Sequence, residues 1–253
     1  MTHILSFQAH PDDLEMLAAG TLALLAARGH RVTVVTMTAG DYGSAVMQPD
    51  ETAATRRREA ANAAALIGAA YECANIPDLG VFNDDPTRRV AVEMIRKHAP
   101  DIVLTASPAD YHPDHEATSV LVRDACFAVS VPNYKTGPSP AMAGIPHLYY
   151  LDPIGGRERD GTRVQPNFAV DVGGYLETKR KMLACHESQF AWVAKQHAID
   201  EYMQSMIDWT ATRGKSFGVP YAEGFRQYRH HPYPNTPLLQ ELVGDALLTT
   251  PAV

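Results

Sequence analysis

Residues 3–15, HILSFQAHPDDLE, join a short apolar run to a polar cluster. The run HILSFQ is typical of a buried strand, and the pattern from about Asp13 to Arg28 predicts a helix that ends near Gly29. The cluster AHPDD falls between them, where the predicted strand ends. The sequence therefore places one histidine and two adjacent carboxylates in the loop between a strand and a helix.

The alternation of strand and helix continues along the chain. Further strands are predicted at 31–38, 70–76, 101–106, 147–151 and 167–172, and further helices at 51–68, 87–98 and 114–129. This order predicts an α/β fold, a Rossmann-like three-layer sandwich with a mostly parallel central sheet. A chain of 253 residues is expected to form a single domain.

Two later segments carry predictions about the domain's surface. The domain is expected to span 1–230, and the proline-punctuated tail 231–253 is expected to pack on it or on a neighbouring subunit, which predicts a homo-oligomer. The loop 131–146 is rich in proline and glycine and is long for a simple connection. We expect it to border the substrate crevice.

The composition argues against several classes of partner. The net charge is −7 and no long run of Lys or Arg occurs, which argues against nucleic-acid and membrane surfaces. The short run Arg56 to Arg58 is interpreted as a solvated helix face. No apolar segment approaches the roughly 20 residues that span a bilayer, and no signal-peptide pattern is present, so we expect a cytoplasmic protein. The three cysteines are far apart and predict neither a disulfide framework nor a thiolate metal site.

A second polar cluster, YHPDHE at 111–116, follows the strand predicted at 101–106 and opens the next helix. In an open parallel sheet, ligands bind outside the carboxyl ends of the strands. If the two strands are close in the sheet, both clusters face one crevice.

The residue types in these clusters are those of a catalytic metal site. Catalytic zinc takes three protein ligands and keeps one position open, and His10, Asp13 and His115 would supply them. Iron(II) is compatible with the same two-histidine, one-carboxylate set. Zn²⁺ is our prediction.

The remaining residues of the clusters suggest catalytic roles. Asp12 would take a proton from the attacking water, and His112 would stabilise the oxyanion or, as an imidazolium, protonate the leaving nitrogen. Asp114 would orient His112 and raise its pKa. These roles predict metal-assisted hydrolysis of an amide or ester.

Each cluster alone also fits a helix start. Asp12 with Glu15 matches a capping box, and Asp114 could cap the later helix. Capping leaves His10 unexplained, as well as the two histidines that bracket Pro-Asp in the second cluster. The metal site accounts for all of them.

The two clusters resemble the motifs of the PIG-L/LmbE family, in AHPDDLE at 9–15 and HPDH at 112–115. The segment RRREAANAAALIG contains the family's R-x-x-E as Arg56 and Glu59, and KRKMLACHESQF resembles its pattern of Lys179, His186, Ser188 and Gln189. The glycine-containing loop 38–44 and the Pro-Asp segment IPDLGVF also agree with the family.

The resemblance implies a zinc-dependent N-deacetylase that removes the acetyl group from an N-acetylated amino sugar or a small N-acetylglucosamine conjugate. It implies that His10, Asp13 and His115 bind the metal and that Asp12, His112 and Asp114 are catalytic. Leu14, between Asp13 and Glu15, favours the members that act on soluble small molecules over those that act on a membrane glycolipid.

The resemblance also suggests substrate-binding residues. Arg56 and Asp78 match positions that contact the sugar or its aglycone, although Arg56 also fits a solvated helix residue and Asp78 a turn former. Tyr111 could polarise the substrate carbonyl.

Two other functions are compatible with the sequence. One is an amidase that acts on another N-acyl group or on a thiol conjugate. The other is a non-catalytic binding module that retains the metal, which predicts the loss of Asp12 or His112; both residues are present.

Overall fold

The computed structural model describes residues 1–197 and 202–249. The strands are β1 (His3–Gln8), β2 (Arg31–Thr38), β3 (Ala70–Ile76), β4 (Ile102–Thr105), β5 (His147–Leu151), β6 (Phe168–Asp171), β7 (Ala222–Gln227) and β8 (Leu247–Leu248). The helices are α1 (Asp13–Leu17), α2 (Ala19–Ala27), α3 (Pro49–Ala65), α4 (Asp85–His98), α5 (Pro113–Ala128), α6 (Leu176–Ala184), α7 (Glu187–His197), α8 (Tyr202–Ser216) and α9 (Leu238–Val243).

The strands form one sheet in the order β3-β2-β1-β4-β5-β7-β6-β8. The first five are parallel, and β7, β6 and β8 join them through antiparallel pairs. Neighbouring residues of β1 point to opposite faces: Ile4 belongs to one apolar core, and Leu5 and Phe7 belong to the other. Helices therefore cover both faces, and the predicted three-layer α/β fold is confirmed.

The helix predicted from Asp13 to Arg28 is two helices, and the break at Ala18 has a tertiary cause. The carboxylate of Glu223, on β7, accepts hydrogen bonds from the first amides of α2, at Gly20 N (3.0 Å) and Thr21 N (2.7 Å), and from Thr21 Oγ1 (2.6 Å). A carboxylate at a helix start satisfies free amides and complements the helix dipole. Strand β7, which supplies it, was missed by the sequence patterns.

The same carboxylate holds a buried cation. Lys179 Nζ lies 2.7 Å from Glu223 Oε1, and both side chains are 1% exposed. Removing one partner of a buried pair leaves an uncompensated charge, so Lys179→Met is expected to lower the free energy of unfolding by about 3–5 kcal/mol. Urea denaturation would measure the loss. Lys181→Met, at an exposed position of the same helix, is the control; equal small losses in both variants would show that the α2 amides alone satisfy Glu223.

The loop 131–146 does not border the crevice, and that prediction was wrong. The loop connects the end of α5 to the start of β5, so it lies at the amino edge of the sheet. Arg96, in the last turn of α4, fixes it there by donating to the carbonyl oxygens of Val131 (2.8 Å) and Tyr134 (2.8 Å). The expected crevice is at the opposite edge.

Part of the predicted tail packs on the sheet. Leu239 and Val243 of α9 are buried, Leu239 N donates to the Tyr149 hydroxyl (3.1 Å), and β8 pairs with β6. A contact between the tail and a second subunit stays a prediction. Among the described helices, none combines the length and the apolar content needed to cross a membrane.

Candidate metal centre and active site

The two polar clusters meet because β1 and β4 are neighbours in the sheet, with Phe7 opposite Thr105. Both clusters follow the carboxyl ends of these parallel strands. They line a cavity of about 730 Å³. The described lining residues include all the predicted site residues except Asp114, and they also include Met16, Tyr42, Gly43, Leu79, Ile154, Gln189, Trp192, Val193 and Tyr202.

Three donor groups surround one point at the base of this cavity. His10 Nδ1 lies 3.2 Å from His115 Nε2, and His115 Nε2 lies 3.1 Å from Asp13 Oδ1. His10 Nδ1 is 3.7 Å from Asp13 Oδ2. Tetrahedral zinc ligands at 2.0–2.2 Å from the ion are about 3.3 Å apart. The donor set therefore fits one divalent cation.

Other donor groupings occur around His10. One group consists of His10, His112 and His115, and a second consists of His10, Asp78 and Asp114. Within each group, the possible ligand atoms lie within 4.8 Å of one another. The second of these groups faces the opposite ring nitrogen of His10, Nε2. The three-residue set of His10, Asp13 and His115 leaves that nitrogen for a hydrogen bond.

A carboxylate lies behind each of the two histidines. Asp114 Oδ2 is 3.2 Å from His10 Nε2, and Asp110 Oδ1 is 3.0 Å from His115 Nδ1. Metal-ligating histidines usually donate their second N–H to a carboxylate in this way, which fixes the tautomer and directs the other nitrogen at the metal. Asp110 was not predicted as a site residue, although it stands only five residues before His115 in the sequence.

The partner of Asp114 differs from the expectation. Its carboxylate does not orient the His112 ring: it contacts His10 and accepts a hydrogen bond from Leu79 N (2.7 Å). It does not cap α5 either, because the N-cap of that helix is His112. The charge of Asp114 raises the pKa of His112, as expected, but burial and the charges of His10 and His115 lower it by more.

The pKa of each of the three donors is shifted by burial and by the charges and hydrogen bonds of its neighbours. Burial opposes protonation of His10, but hydrogen bonds to Asp114 and Asp13 raise its pKa to about 9. Burial likewise opposes protonation of His115, but the charge of Asp13 and the bond to Asp110 raise its pKa to about 10. Burial would raise the pKa of Asp13, yet the two histidines hold it well below its usual range. A metal ion would displace these protons on binding.

Asp12 is buried beside this set, and its side chain does not cap α1. The capping interpretation was therefore wrong. The backbone has φ 90°, which turns the carboxylate toward Tyr202 and Arg56: Oδ2 accepts from the Tyr202 hydroxyl (2.8 Å), and Oδ1 lies 3.3 Å from Arg56 Nη2. Burial raises the pKa of Asp12, although Arg56 opposes the shift. A raised pKa makes a carboxylate a better proton acceptor near neutral pH.

Arg56 is buried, so its interpretation as a solvated helix residue was wrong. Its guanidinium donates to the carbonyl oxygens of Pro11 (2.7 Å) and Gly40 (3.2 Å). A Cβ atom at Gly40, which has φ 70°, would lie 1.8 Å from the guanidinium. Gly40 has no side chain and therefore leaves room for the guanidinium of Arg56, which contacts Asp12.

His112 is positioned as a neutral hydrogen-bond donor. Its Nδ1 accepts from Asp114 N (3.2 Å), which leaves the proton on Nε2. Burial and the charges of His10 and His115 lower its pKa to about 4. This geometry favours oxyanion stabilisation over the role of an imidazolium acid.

The outer part of the cavity contains the predicted substrate contacts. Asp78 Oδ2 accepts from Tyr42 N (3.1 Å), within a turn as predicted, and its Oδ1 is buried with no hydrogen-bond partner in the described residues. The ring of Tyr111 stands edge-on to His112 and His115. Gln189, from the C-terminal pattern, lines the cavity and donates to Gly43 O (3.3 Å).

His186 lies beneath the cavity and does not line it. It is fully buried, and its Nε2 is 3.5 Å from Glu15 Oε1. Burial disfavours its charged form, but the charge of Glu15 raises its pKa. Its position supports α1 from behind.

Asp110 provides a test of the histidine geometry. Asp110→Asn keeps the size of the side chain but removes the charge that holds the His115 tautomer, so metal affinity is expected to fall about 10- to 100-fold. Metal affinity would be measured by competition with a chromogenic chelator. Asp101→Asn, at the amino edge of the sheet, is the control; an unchanged affinity in Asp110→Asn would show that Asp110 only anchors backbone amides, such as those of Tyr111 (2.7 Å) and Ile154 (3.0 Å).

The structure is an α/β fold with a cluster of histidine and carboxylate groups, able to hold a divalent cation, at the carboxyl edge of its sheet. The PIG-L family model, described as GlcNAc-PI de-N-acetylase, matches residues 5–126, so this part of the chain is similar to that family.

Alignments with individual relatives extend the similarity beyond residues 5–126 to most of the chain. Diacetylchitobiose deacetylase of Thermococcus kodakarensis is 28% identical over 239 residues, covering 88% of this chain and 82% of the relative. The crystal structure of N,N'-diacetylchitobiose deacetylase from Pyrococcus horikoshii matches with a TM-score of 0.76 and 26% identity, over 94% of this chain and 88% of that one. A 4-oxalmesaconate hydratase of Pseudomonas putida is 25% identical, with 86% of each chain covered.

Proposed function

We propose that the protein is a metal-dependent N-deacetylase that removes the acetyl group from an N-acetylated amino sugar or a small N-acetylglucosamine conjugate. The observation that carries the proposal is the position of Asp12, a buried carboxylate that lies beside His10, Asp13 and His115 and is bound by neither histidine. The similarity to the two diacetylchitobiose deacetylases supports an N-acetylated amino sugar as the substrate.

The ligand set supports zinc as the metal, although iron(II) fits the same residues. A divalent ion held by His10, Asp13 and His115 would polarise the amide carbonyl and lower the pKa of the attacking water. The chain's own residues supply the remaining chemistry.

Asp12 accepts a proton from the attacking water. The Tyr202 hydroxyl and Arg56 hold its carboxylate in place, and its raised pKa allows it to carry the proton. His112 donates its Nε2–H to the oxyanion that forms when the water adds to the carbonyl carbon. Asp12 then delivers the proton to the leaving nitrogen as the C–N bond breaks, which releases acetate and the free amine.

The outer cavity would hold the sugar. Asp78 lines the cavity next to His10, with its Oδ1 3.8 Å from His10 Nε2, and a sugar hydroxyl could contact the part of the residue that lines the cavity. Tyr111 stands above the two histidines of the second cluster, next to the position of the substrate carbonyl in this proposal. Arg56 is committed to Asp12 and backbone carbonyls, so its contact with substrate would be limited to the face that lines the cavity.

Hydration of an unsaturated carboxylate is a second reaction to test, because the relative from Pseudomonas putida is named a hydratase. Both reactions add a water molecule to the substrate. They differ in product: hydration releases no amine.

The zinc-loaded protein should be incubated with N-acetylglucosamine, N,N'-diacetylchitobiose and their N-propionyl analogues, and then with 4-oxalmesaconate. We expect acetate and free amine in equal amounts, with the acetyl compounds preferred. Faster release of propionate would favour the amidase alternative, loss of 4-oxalmesaconate would favour a hydratase, and no turnover at all would favour a binding module.

A further inference from the structure

A second cavity, of about 320 Å³, lies beside the hairpin 157–163. We call it the arginine pocket, because Arg157, Arg163 and Arg213 line it together with Trp209. It also includes Gly155 and Gly156, which directly follow the active-site residue Ile154 in the chain. None of its described lining residues belongs to the catalytic cavity.

Two of these arginines face each other across the hairpin. Arg157 pairs with Arg163 in an antiparallel bridge, closed by a turn in which Gly161 N donates to Glu158 O (2.9 Å). Side chains at directly opposite positions of an antiparallel pair have Cβ atoms about 5 Å apart, and like charges there repel. The hairpin therefore carries an unfavourable pair of cations at its base.

The nearby carboxylates do not neutralise this pair. Glu158 lies 3.4 Å from Arg226 Nη1, and Asp160 accepts from Thr162 N (2.9 Å) and Thr162 Oγ1 (2.7 Å). In the described part of the chain, neither Arg157 nor Arg163 has a carboxylate partner within 4.0 Å, and no acidic residue lines the pocket. Two cations thus face a concave surface in a protein whose net charge is −7.

The third guanidinium is held in place. Arg213 is buried, and its Nε donates to Asp152 Oδ2 (2.6 Å). The ring of Trp209 packs against Gly156, where a Cβ atom would lie 1.8 Å from the ring, and the Arg213 guanidinium carbon is 5.4 Å from the ring centroid. The pocket therefore has one rigid wall, and on the hairpin Arg157 Nη1 donates to the turn carbonyl of Gly161 (2.6 Å).

We propose that the arginine pocket binds a small dianion, a phosphate or dicarboxylate group on a low-molecular-weight compound. Guanidinium groups match the paired oxygens of such groups, and charge-assisted hydrogen bonds to them are among the strongest in proteins. A dianion between Arg157 and Arg163 would convert their repulsion into two attractive contacts. This site is separate from the proposed deacetylase reaction and does not depend on it.

Binding of inorganic phosphate and of succinate would be measured by isothermal titration calorimetry at low ionic strength. We expect saturable one-to-one binding of at least one of the two, and an affinity at least tenfold lower in the double variant Arg157→Ala/Arg163→Ala. The relative affinities show whether phosphate or dicarboxylate is the preferred group. Arg159→Ala is the matched control, because Arg159 lies on the same hairpin but pairs with Glu116.

The melting temperature provides a second readout. In anion-free buffer, Arg163→Ala is expected to melt at the same temperature as the wild type or higher, because the substitution removes the repulsion. Phosphate or succinate should raise the melting temperature of the wild type and of Arg159→Ala, but not that of the double variant. Binding that is unchanged in the double variant, or a lower melting temperature of Arg163→Ala without anion, would overturn the proposal.

Discussion

Replacing Asp12 with Asn is expected to lower kcat about 10²- to 10⁴-fold and to leave the metal content unchanged, as is typical for loss of a general acid or base. Asn has the same size and can still accept the hydrogen bond of the Tyr202 hydroxyl, so the variant should fold. Its amide cannot take a proton from water at neutral pH. Steady-state kinetics and metal analysis of the same preparation would measure both quantities.

The pH profile gives the same assignment a second test. The base must be deprotonated, and burial raises its pKa, so kcat/KM of the wild type should fall as the pH is lowered through the pKa of Asp12. Asp12→Asn should lose this acid limb. A small loss of activity at full metal occupancy would reduce Asp12 to a structural residue, and loss of metal would show that the roles of the two aspartates are reversed.

Replacing Asp13 with Ala is expected to abolish metal binding and activity together. Asp13 supplies the carboxylate of the donor set, and its Oδ2 also accepts from His10 N (2.8 Å), which fixes the loop that carries the first histidine. The two histidines alone would hold a divalent ion weakly. The metal content after dialysis, measured by atomic emission, should fall to a small fraction of the wild-type value.

The control for this variant is Asp50→Ala, an exposed carboxylate in the first turn of α3. It should retain both metal and activity. Full metal occupancy in Asp13→Ala would point instead to His10, His112 and His115 as the ligands, since their nitrogens also lie within 4.8 Å of one another. Oxyanion stabilisation would then need a different donor.

The parallel half of the fold and the meeting of the two polar clusters were predictable from local patterns. Strand β2 has the predicted bounds, and the parallel strand order brings together two clusters that are about a hundred residues apart. The periodicity of short apolar runs and the chemistry of the residues that follow them were sufficient. Both signals lie in stretches of a few consecutive residues.

The features that were missed depend on contacts between distant segments. Arg56 stands in a run of three arginines, and helix geometry alone does not show which of them points inward. Its burial depends on the carbonyl oxygens of Pro11 and Gly40, which come from two other loops. The same holds for Asp114, whose carboxylate contacts His10 across the site, while only its backbone amide contacts His112.

The contacts of Asp12 and α2 have a consequence for the order in which the protein is completed during synthesis. Both polar clusters have left the ribosome long before Tyr202 and Glu223 are made, yet Tyr202 holds Asp12 and Glu223 holds the start of α2. A nascent chain that ends between the second cluster and residue 202 would therefore contain every proposed metal ligand and Arg56, but not Tyr202, the second group that holds the base. The final fifth of the chain completes the contacts that fix this base.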